Sequence, residues 1–353
     1  MSLDTPVEAR RAARRVSTPT VVIVGATGAV GMELLRCLEQ RGFPLASLRL
    51  LASPRSAGRE MCFRDRTIIV EVLDRDSFED VDIALFSAGS TISKHYAPLA
   101  VAAGAVVVDN SSAFRMHPDV PLVVPEVNAA VIADHHGIIA NPNCVAIITC
   151  VALWPLHRSH RIRRVQAATY QAASGAGAAA MEELRASTMA YLAGETYLPR
   201  VLKHPYAFNL FSHDAPVDQA TGYNGEELKV VNECRRILDA PTLPIGITCV
   251  RVPVLRAHSI ALSVEFEHPL AAEDVRMLLA DAPGVRLVDD TAHNHFPMPV
   301  EAQGQGDVLV GRIRQDLGDP SGRSVALFLA GDQLLKGAAL NTIQIAEQLI
   351  HRG

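Results

Sequence analysis

An apolar run, Thr20–Val24, leads into Gly25-Ala26-Thr27-Gly28-Ala29-Val30-Gly31, and a helix-patterned segment follows from Met32 to Gln40. A buried strand that turns on glycines into a helix is the opening of a βαβ unit. The glycines let the backbone turn tightly and approach a pyrophosphate, and the helix N–H groups face its charge. An ordinary glycine-rich strand–helix turn satisfies the same spacing, so the context has to decide. Leu48–Ala52, Ile68–Val72, Ile83–Ser87 and Val106–Asp109 read as further strands, with a short helix containing 98–103 before the last. Strands alternating with helical segments predict a parallel α/β sheet, and the pattern runs to about residue 140.

Beyond that point the rhythm changes. Residues 162–172, 246–254 and 325–330 read as strands, and His258–Glu267 alternates apolar and polar positions as an antiparallel strand does. Helical spacing marks 177–193, Glu226–Leu238 and 332–351, and the stretch 196–224 is looser and rich in Pro, His and Tyr. The expected fold is α/β: a Rossmann-like parallel-sheet domain over 20–143 and 331–353, with an α+β domain carrying a mixed sheet inserted as residues 144–330. Residues 1–19 are expected to form a disordered tail, with Arg10, Arg11, Arg14 and Arg15 beside Asp4 and Glu8.

The net charge of −5 argues against a general nucleic-acid binder. No stretch of eighteen apolar residues offers a membrane span, and the N-terminus has no apolar leader segment. Six scattered cysteines without a CxxC pair speak against zinc and against a disulfide scaffold, so no metal is expected and a cytoplasmic location is. Only four of the 33 basic residues are lysines: Lys94, Lys203, Lys229 and Lys336.

The end of the second strand discriminates between dinucleotides. An NAD site places an acid there for the ribose 2′-OH. Here Ser53-Pro54-Arg55-Ser56 stands instead. Arg55 can pair with a 2′-phosphate and Ser53 and Ser56 can donate to it, which predicts NADP. A polar loop in an arginine-rich chain is the plainer alternative.

Asn141-Pro142-Asn143-Cys144 precedes the apolar run Val145–Leu153. This puts Cys144 near a helix N-terminus, where N–H dipoles favour a thiolate that can attack an acyl group. A buried core cysteine fits the spacing equally well. Cys150, Cys37, Cys62, Cys234 and Cys249 read as core. His258 follows Arg251-Val252-Pro253-Val254 at a distance of seven residues. Glu226 and Lys229 are i,i+3 on one helix, able to face one pocket or to form a solvated ion pair.

Together these residues resemble the aspartate-semialdehyde dehydrogenase family from about Thr20 to the C-terminus. The resemblance rests on Gly25–Gly31, Ser87-Ala88-Gly89, Asp109–Arg115, Val124–Asn128, Asn141–Cys144, Gln171 with Ser174–Gly177, Gly225–Lys229, Arg251–Val254 with His258, and Lys336–Asn341, in that order. It implies that Cys144 is the nucleophile, His258 the acid/base catalyst and Gln171 the residue that orients substrate and intermediate. It implies that Arg251 binds the substrate α-carboxylate and Glu226 its α-amino group, while Arg115, Asn143 and Lys229 hold phosphate. Cofactor contacts are implied for Gly25, Ala26, Thr27, Gly28, Ala29, Val30, Ser87, Ala88, Gly89, Ser174, Gly175 and Asn341, beside Ser53, Arg55 and Ser56.

The implied reaction is the reversible, NADP-dependent reductive dephosphorylation of L-4-aspartyl phosphate to L-aspartate 4-semialdehyde through a cysteine thioester, in aspartate-family amino-acid biosynthesis. A homodimer built on the second domain, sometimes a tetramer, is implied as well. A divergent, non-catalytic or regulatory paralogue on the same scaffold is the alternative. The chain departs from the family pattern at Val145-Ala146 (commonly Ser-Thr), Ala257 (usually Gly), His117 (commonly an acid) and Leu335 (usually Arg).

Overall fold

The computed structural model describes residues 17–351, so most of the expected tail, residues 1–16, lies outside the described residues. The chain divides into two compact units: one holds residues up to 125, 129–141 and 341 onward, and the other holds 126–128 and 142–340.

The first unit is a six-stranded sheet, all of it parallel. Its strands are β1 (Thr20–Val24), β2 (Ser47–Ala52), β5 (Glu71–Val72), β6 (Ile83–Phe86), β7 (Val106–Asp109) and β8 (Ile138–Ala140), ordered β5-β2-β1-β6-β7-β8. The order steps outward from β1 in both directions, so the β1 and β6 carboxyl ends flank the topological switch where such sheets bind ligands. Val21–Val24 are fully buried in the sheet. Helix α1 (Ala29–Gln40) begins three residues earlier than the apolar periodicity suggests, and α2 (Ser90–Ala102) is a full helix that carries Pro98 inside it.

The expected strand Ile68–Val72 is corrected. A separate hairpin, β3 (Glu60–Phe63) with β4 (Arg66–Ile69), takes residues 66–69, and only Glu71–Val72 join the parallel sheet. Arg64 and Asp65, both at positive φ, close this hairpin in the turn geometry that matches strand twist. Cys62 lies on β3 and is exposed, so it is not core as expected; the other four cysteines read as core are buried.

The second unit is a seven-stranded mixed sheet, ordered β10-β11-β9-β12-β15-β14-β13. Its strands are β9 (Ile162–Gln171), β10 (Phe211–Ser212), β11 (Ile245–Arg251), β12 (His258–Phe266), β13 (Val285–Leu287), β14 (Val308–Gln315) and β15 (Ser324–Gly331). Its helices are α3 (Cys144–Ser159), α4 (Ala178–Leu192), α5 (Gly225–Ile237) and α6 (Ala272–Ala280). Strands β13 and β14 and helix α6 go beyond the sequence reading. Gly311 interrupts the apolar pattern of β14, and a Cβ there would lie 1.9 Å from the Val288 carbonyl oxygen.

The C-terminal segment is not one helix. Leu335–Ala339 form a π-helical turn, and α7 (Leu340–His351) follows. Residues 331–340 therefore sit with the second unit, and the return to the first unit begins at Asn341. Asp332 fixes this stretch by accepting from Leu334 N–H and pairing with Arg256 at 2.8 Å, both inside the second unit.

Candidate active site

In the first unit the β1–α1 turn is built by backbone proximity. Gly25 has φ +86, and a Cβ there would meet Ser87 backbone at 3.0 Å; its N–H donates to the Leu51 carbonyl at 2.8 Å. Gly28 caps α1 and supplies no side chain to its first-turn N–H groups, which in any helix lack intrahelical acceptors. Gly89, at φ +88, opens α2 beside it in sequence order after β6, again with no side-chain cap. Two glycine-opened helix N-termini at the β1 and β6 ends, with no acid on the loop after β2, fit the diphosphate of a dinucleotide.

Ser56 is buried on that loop, where its N–H donates to the Ser53 carbonyl, while Ser53 and Arg55 are exposed. Arg115 is held by the carbonyls of Asn141 (3.0 Å) and Asn110 (2.8 Å). Asn341 is buried and donates its amide to Val123 O and Asn141 Oδ1, which makes it a brace of its own unit.

The second unit gathers Asn143, Cys144, Gln171, Ser174, Gly175, Glu226, Lys229, Arg251 and His258. Cys144 is the first residue of α3, and Asn143 is its N-cap, accepting from Val145 and Ala146 N–H. Val145 and Ala146, where the family commonly has hydroxyls, thus meet the cap through their backbones. Gly337, on the π-helical turn, packs so closely that a Cβ there would lie 2.9 Å from the Cys144 Cβ. That turn is tied down by a buried ion pair, Lys336 Nζ to Glu126 Oε2 at 2.6 Å. Interruptions of this kind in helical segments recur at functional sites.

Helix α5 supplies the next layer. Its N-terminus carries a capping box, Asn224 with Glu227. Glu226 Oε1 accepts from Asn143 Nδ2 at 2.8 Å and from Gln171 Nε2 at 3.3 Å, and Lys229 pairs with it at 3.6 Å. Burial opposes ionisation of Glu226. His213, the Asn143 amide, Lys229 and the Gln171 amide outweigh it and hold the carboxyl below the usual range. One helical repeat on, Glu233 accepts from Asn143 N–H at 2.5 Å, so α5 holds the residue before the cysteine at two points. The sequence reading left Glu233 out, although its i+7 spacing from Glu226 put it on the same face.

Gln171 ends β9, and Ala172 links it to the last two groups. Ala172 N–H donates to His258 Nδ1 at 2.9 Å, and its carbonyl accepts from Arg251 Nη1 at 3.4 Å. A neutral imidazole whose Nδ1 accepts carries its proton on Nε2. His258 Nε2 is buried without a partner, and so is Arg251 Nε. Gly175 makes room for both: a Cβ there would lie 3.0 Å from His258 Nε2 and 3.1 Å from Arg251 Nη1. Ser174 Oγ accepts a hydrogen bond from the Gln333 amide, and Gln333 also accepts from Ala257 N–H. Ala257 is fully buried at φ +74, which explains why glycine suits the position before this histidine.

Burial, helped by the charge of Arg251, pushes His258 down to about 3. The unfolded chain binds a proton on this ring below about pH 6.5, whereas the folded chain refuses it until about pH 3. Stability is therefore expected to fall as pH drops through that window. The His258→Asn variant should lack this one-proton contribution, roughly 1.4 kcal/mol per pH unit. Urea unfolding at several pH values from 4 to 7 checks it; equal slopes for the two proteins would contradict the assignment.

A nicotinamide-dinucleotide unit joined to a mixed-sheet unit bearing a helix-capped cysteine and a buried histidine defines the semialdehyde dehydrogenase class. Family models agree: "Semialdehyde dehydrogenase, NAD binding domain" matches residues 20–135, and "Semialdehyde dehydrogenase, dimerisation domain" matches 153–336. The aspartate-semialdehyde dehydrogenase of Synechocystis sp. is 53% identical over 94% of this chain and 98% of its own. That of Bacillus subtilis is 46% identical over 93% and 96%. The crystal structure of aspartate semialdehyde dehydrogenase II from Vibrio cholerae, complexed with ASA, superposes with a TM-score of 0.91 at 41% identity, covering 95% of this chain and 98% of its own. The chain belongs to the aspartate-semialdehyde dehydrogenase family, and it is an oxidoreductase of the phosphorylating aldehyde dehydrogenase kind. Among the described residues no helix is long and apolar enough to cross a membrane.

Proposed function

We propose that the chain reduces L-4-aspartyl phosphate to L-aspartate 4-semialdehyde with NADPH, reversibly, with Cys144 as nucleophile. The observation that carries this reading is the continuous contact chain Cys144–Asn143–Glu226–Gln171–Ala172, which ends on two buried, unpartnered donors, His258 Nε2 and Arg251 Nε. Cys144 Sγ bonds to the acyl carbon, the carbon–oxygen bond to phosphate breaks, and inorganic phosphate leaves a thioester. A bound nicotinamide cofactor supplies the hydride that this more electrophilic carbon accepts.

His258 is the acid/base partner. Its proton sits on Nε2, where it meets the oxygen that gathers negative charge, passes to that oxygen as the thiohemiacetal forms and returns to Nε2 as the carbonyl reforms. When the carbon–sulfur bond breaks, the carbonyl reforms and Cys144 returns as thiolate. Gln171 orients the acyl group. Arg251 holds the α-carboxylate by its planar fork, and Glu226, kept ionised, holds the α-ammonium. Arg115, Asn143 and Lys229 hold phosphate. Ser174 and Gly175, beside His258, belong to the cofactor's nicotinamide end, and the β1–α1 turn with residues 87–89 belongs to its diphosphate.

The cofactor is NADP, read by Arg55 with Ser53 and Ser56. The enzyme is a cytoplasmic homodimer formed through the second unit, in keeping with six free thiols and a dimerisation-domain match. The deciding assay is phosphate-dependent formation of NADPH from the semialdehyde, with NADP and NAD side by side. A folded sample without that activity would leave the non-catalytic alternative standing. Arg55→Ala is expected to lower kcat/KM for NADP by about 10- to 100-fold, the loss of one or two charge-assisted hydrogen bonds, with little change for NAD. An unchanged NADP-to-NAD ratio would remove Arg55 from the site.

A further inference from the structure

We infer that His213 is a second donor to the substrate α-carboxylate, sharing a carboxylate oxygen with Arg251 and thereby helping to select an α-amino acid skeleton. The inference rests on the reading of Arg251 as the carboxylate anchor. His213 comes from the loose stretch that no motif covers, and a short pairing delivers it. Strand β10 runs antiparallel to β11 with Phe211 opposite Arg251, and the His213 N–H donates to the Cys249 carbonyl at 2.9 Å. The ring then reaches back along β11, and its Nε2 stands 2.9 Å from Arg251 Nη2.

In the tautomer whose Nδ1 accepts, that contact lacks an acceptor. His213 Nδ1 accepts from Ala215 N–H at 3.2 Å. A neutral imidazole has one acceptor nitrogen, so Nε2 carries the hydrogen. A guanidinium only donates. Two donors therefore face each other at hydrogen-bond distance. The opposite tautomer would let Arg251 Nη2 donate to Nε2 but would set Nδ1–H against the Ala215 N–H, so either tautomer leaves one pair of donors facing each other. The nearest carboxylate is too long to serve: Asp214 Oδ1 lies 3.7 Å from Arg251 Nη2. Arg251 is 4% exposed, and its Nε has no partner.

One anionic oxygen placed against Arg251 Nη2 and His213 Nε2 satisfies both donors, and the second oxygen of the same carboxylate can reach Arg251 Nε. Burial and the charge of Arg251 hold His213 below its usual range, so it serves as a neutral N–H donor.

The test uses His213→Leu, His213→Gln and Arg251→Gln in the full-length enzyme, with melting temperatures as folding controls. KM for L-aspartate semialdehyde, KM for phosphate and kcat are measured for each. His213→Leu is expected to raise KM for the semialdehyde about 10- to 100-fold, with kcat and KM for phosphate changed no more than about threefold. His213→Gln, whose amide Nε2 can take the place of the ring Nε2, should recover most of that loss. A semialdehyde KM that is unchanged in His213→Leu, or one that rises only in step with a fall in kcat and a rise in phosphate KM, overturns the inference. So does a glutamine variant no better than leucine. Arg251→Gln separates the two levels: if it too leaves the semialdehyde KM unchanged, the carboxylate anchor itself is misassigned. If it raises KM while His213→Leu does not, only the role of His213 fails.

Discussion

Cys144→Ala is expected to lower kcat/KM by about 10⁴-fold or more, because the thioester route has no substitute nucleophile. The argument is local. Cys144 begins α3, where the backbone N–H groups of the first turn have no intrahelical acceptor, and Asn143 already caps Val145 and Ala146. Alanine keeps that cap and the Cβ that Gly337 accommodates, so the variant should melt within a few degrees of the parent. It removes only the sulfur. Enzyme mixed with excess semialdehyde and NADP, without phosphate, should give a stoichiometric burst of NADPH in the parent as acyl-enzyme builds up, and none in the variant. Full turnover by a folded Cys144→Ala protein would refute covalent catalysis for any substrate.

How far the site could be read from the sequence depends on the range of the interaction that makes each residue useful. Cys144, Asn143 and Glu226 act through helix starts, and a helix start is written in a few adjacent residues: Asn143 before an apolar run, Asn224 three residues before Glu227. The parallel sheet was legible for the same reason, since the apolar runs of β1, β6 and β7 are unbroken and that of β2 is interrupted only by Arg49. His213 depends on a two-residue pairing between β10 and β11 across nearly forty residues of chain, and no periodicity announces two residues. Strand β14 was hidden by Gly311, whose bare Cα is demanded by the Val288 carbonyl and not by the strand itself. Ala257 shows the reverse: its departure from the family pattern was visible, but the reason, a left-handed backbone beside His258, needed φ. The π-helical turn at Leu335–Ala339 belongs with these, because helical spacing alone cannot distinguish one widened turn from a regular helix.

The dinucleotide turn allows a graded expectation, and Gly31 should be its most sensitive point. A Cβ on Gly31 would lie 2.3 Å from the Gly25 carbonyl oxygen and 2.7 Å from the Ala26 backbone. Both are main-chain atoms held by hydrogen bonds, for Gly25 and Ala26 N–H donate to the Leu51 carbonyl at 2.8 and 3.1 Å. Nothing there can yield by a rotamer change, so α1 must move off β1, and Gly31→Ala is expected to cost about 3 kcal/mol or more. For a unit of this size that lowers the melting temperature by roughly 10 °C. Gly25→Ala meets a softer contact at 3.0 Å but must also hold φ +86, and Gly28→Ala meets only the Gly25 oxygen at 3.3 Å. The expected order of damage is therefore Gly31, then Gly25, then Gly28. Cofactor affinity should follow another order: Gly31→Ala displaces the whole helix start, whereas Gly28→Ala adds a methyl beside the first-turn N–H groups and can weaken dinucleotide binding with the melting temperature almost intact. Thermal unfolding and NADP titration on the three variants separate packing from ligand contact. A Gly31→Ala protein melting within about 2 °C of the parent would mean that the close packing of α1 on the turn is not what fixes glycine there.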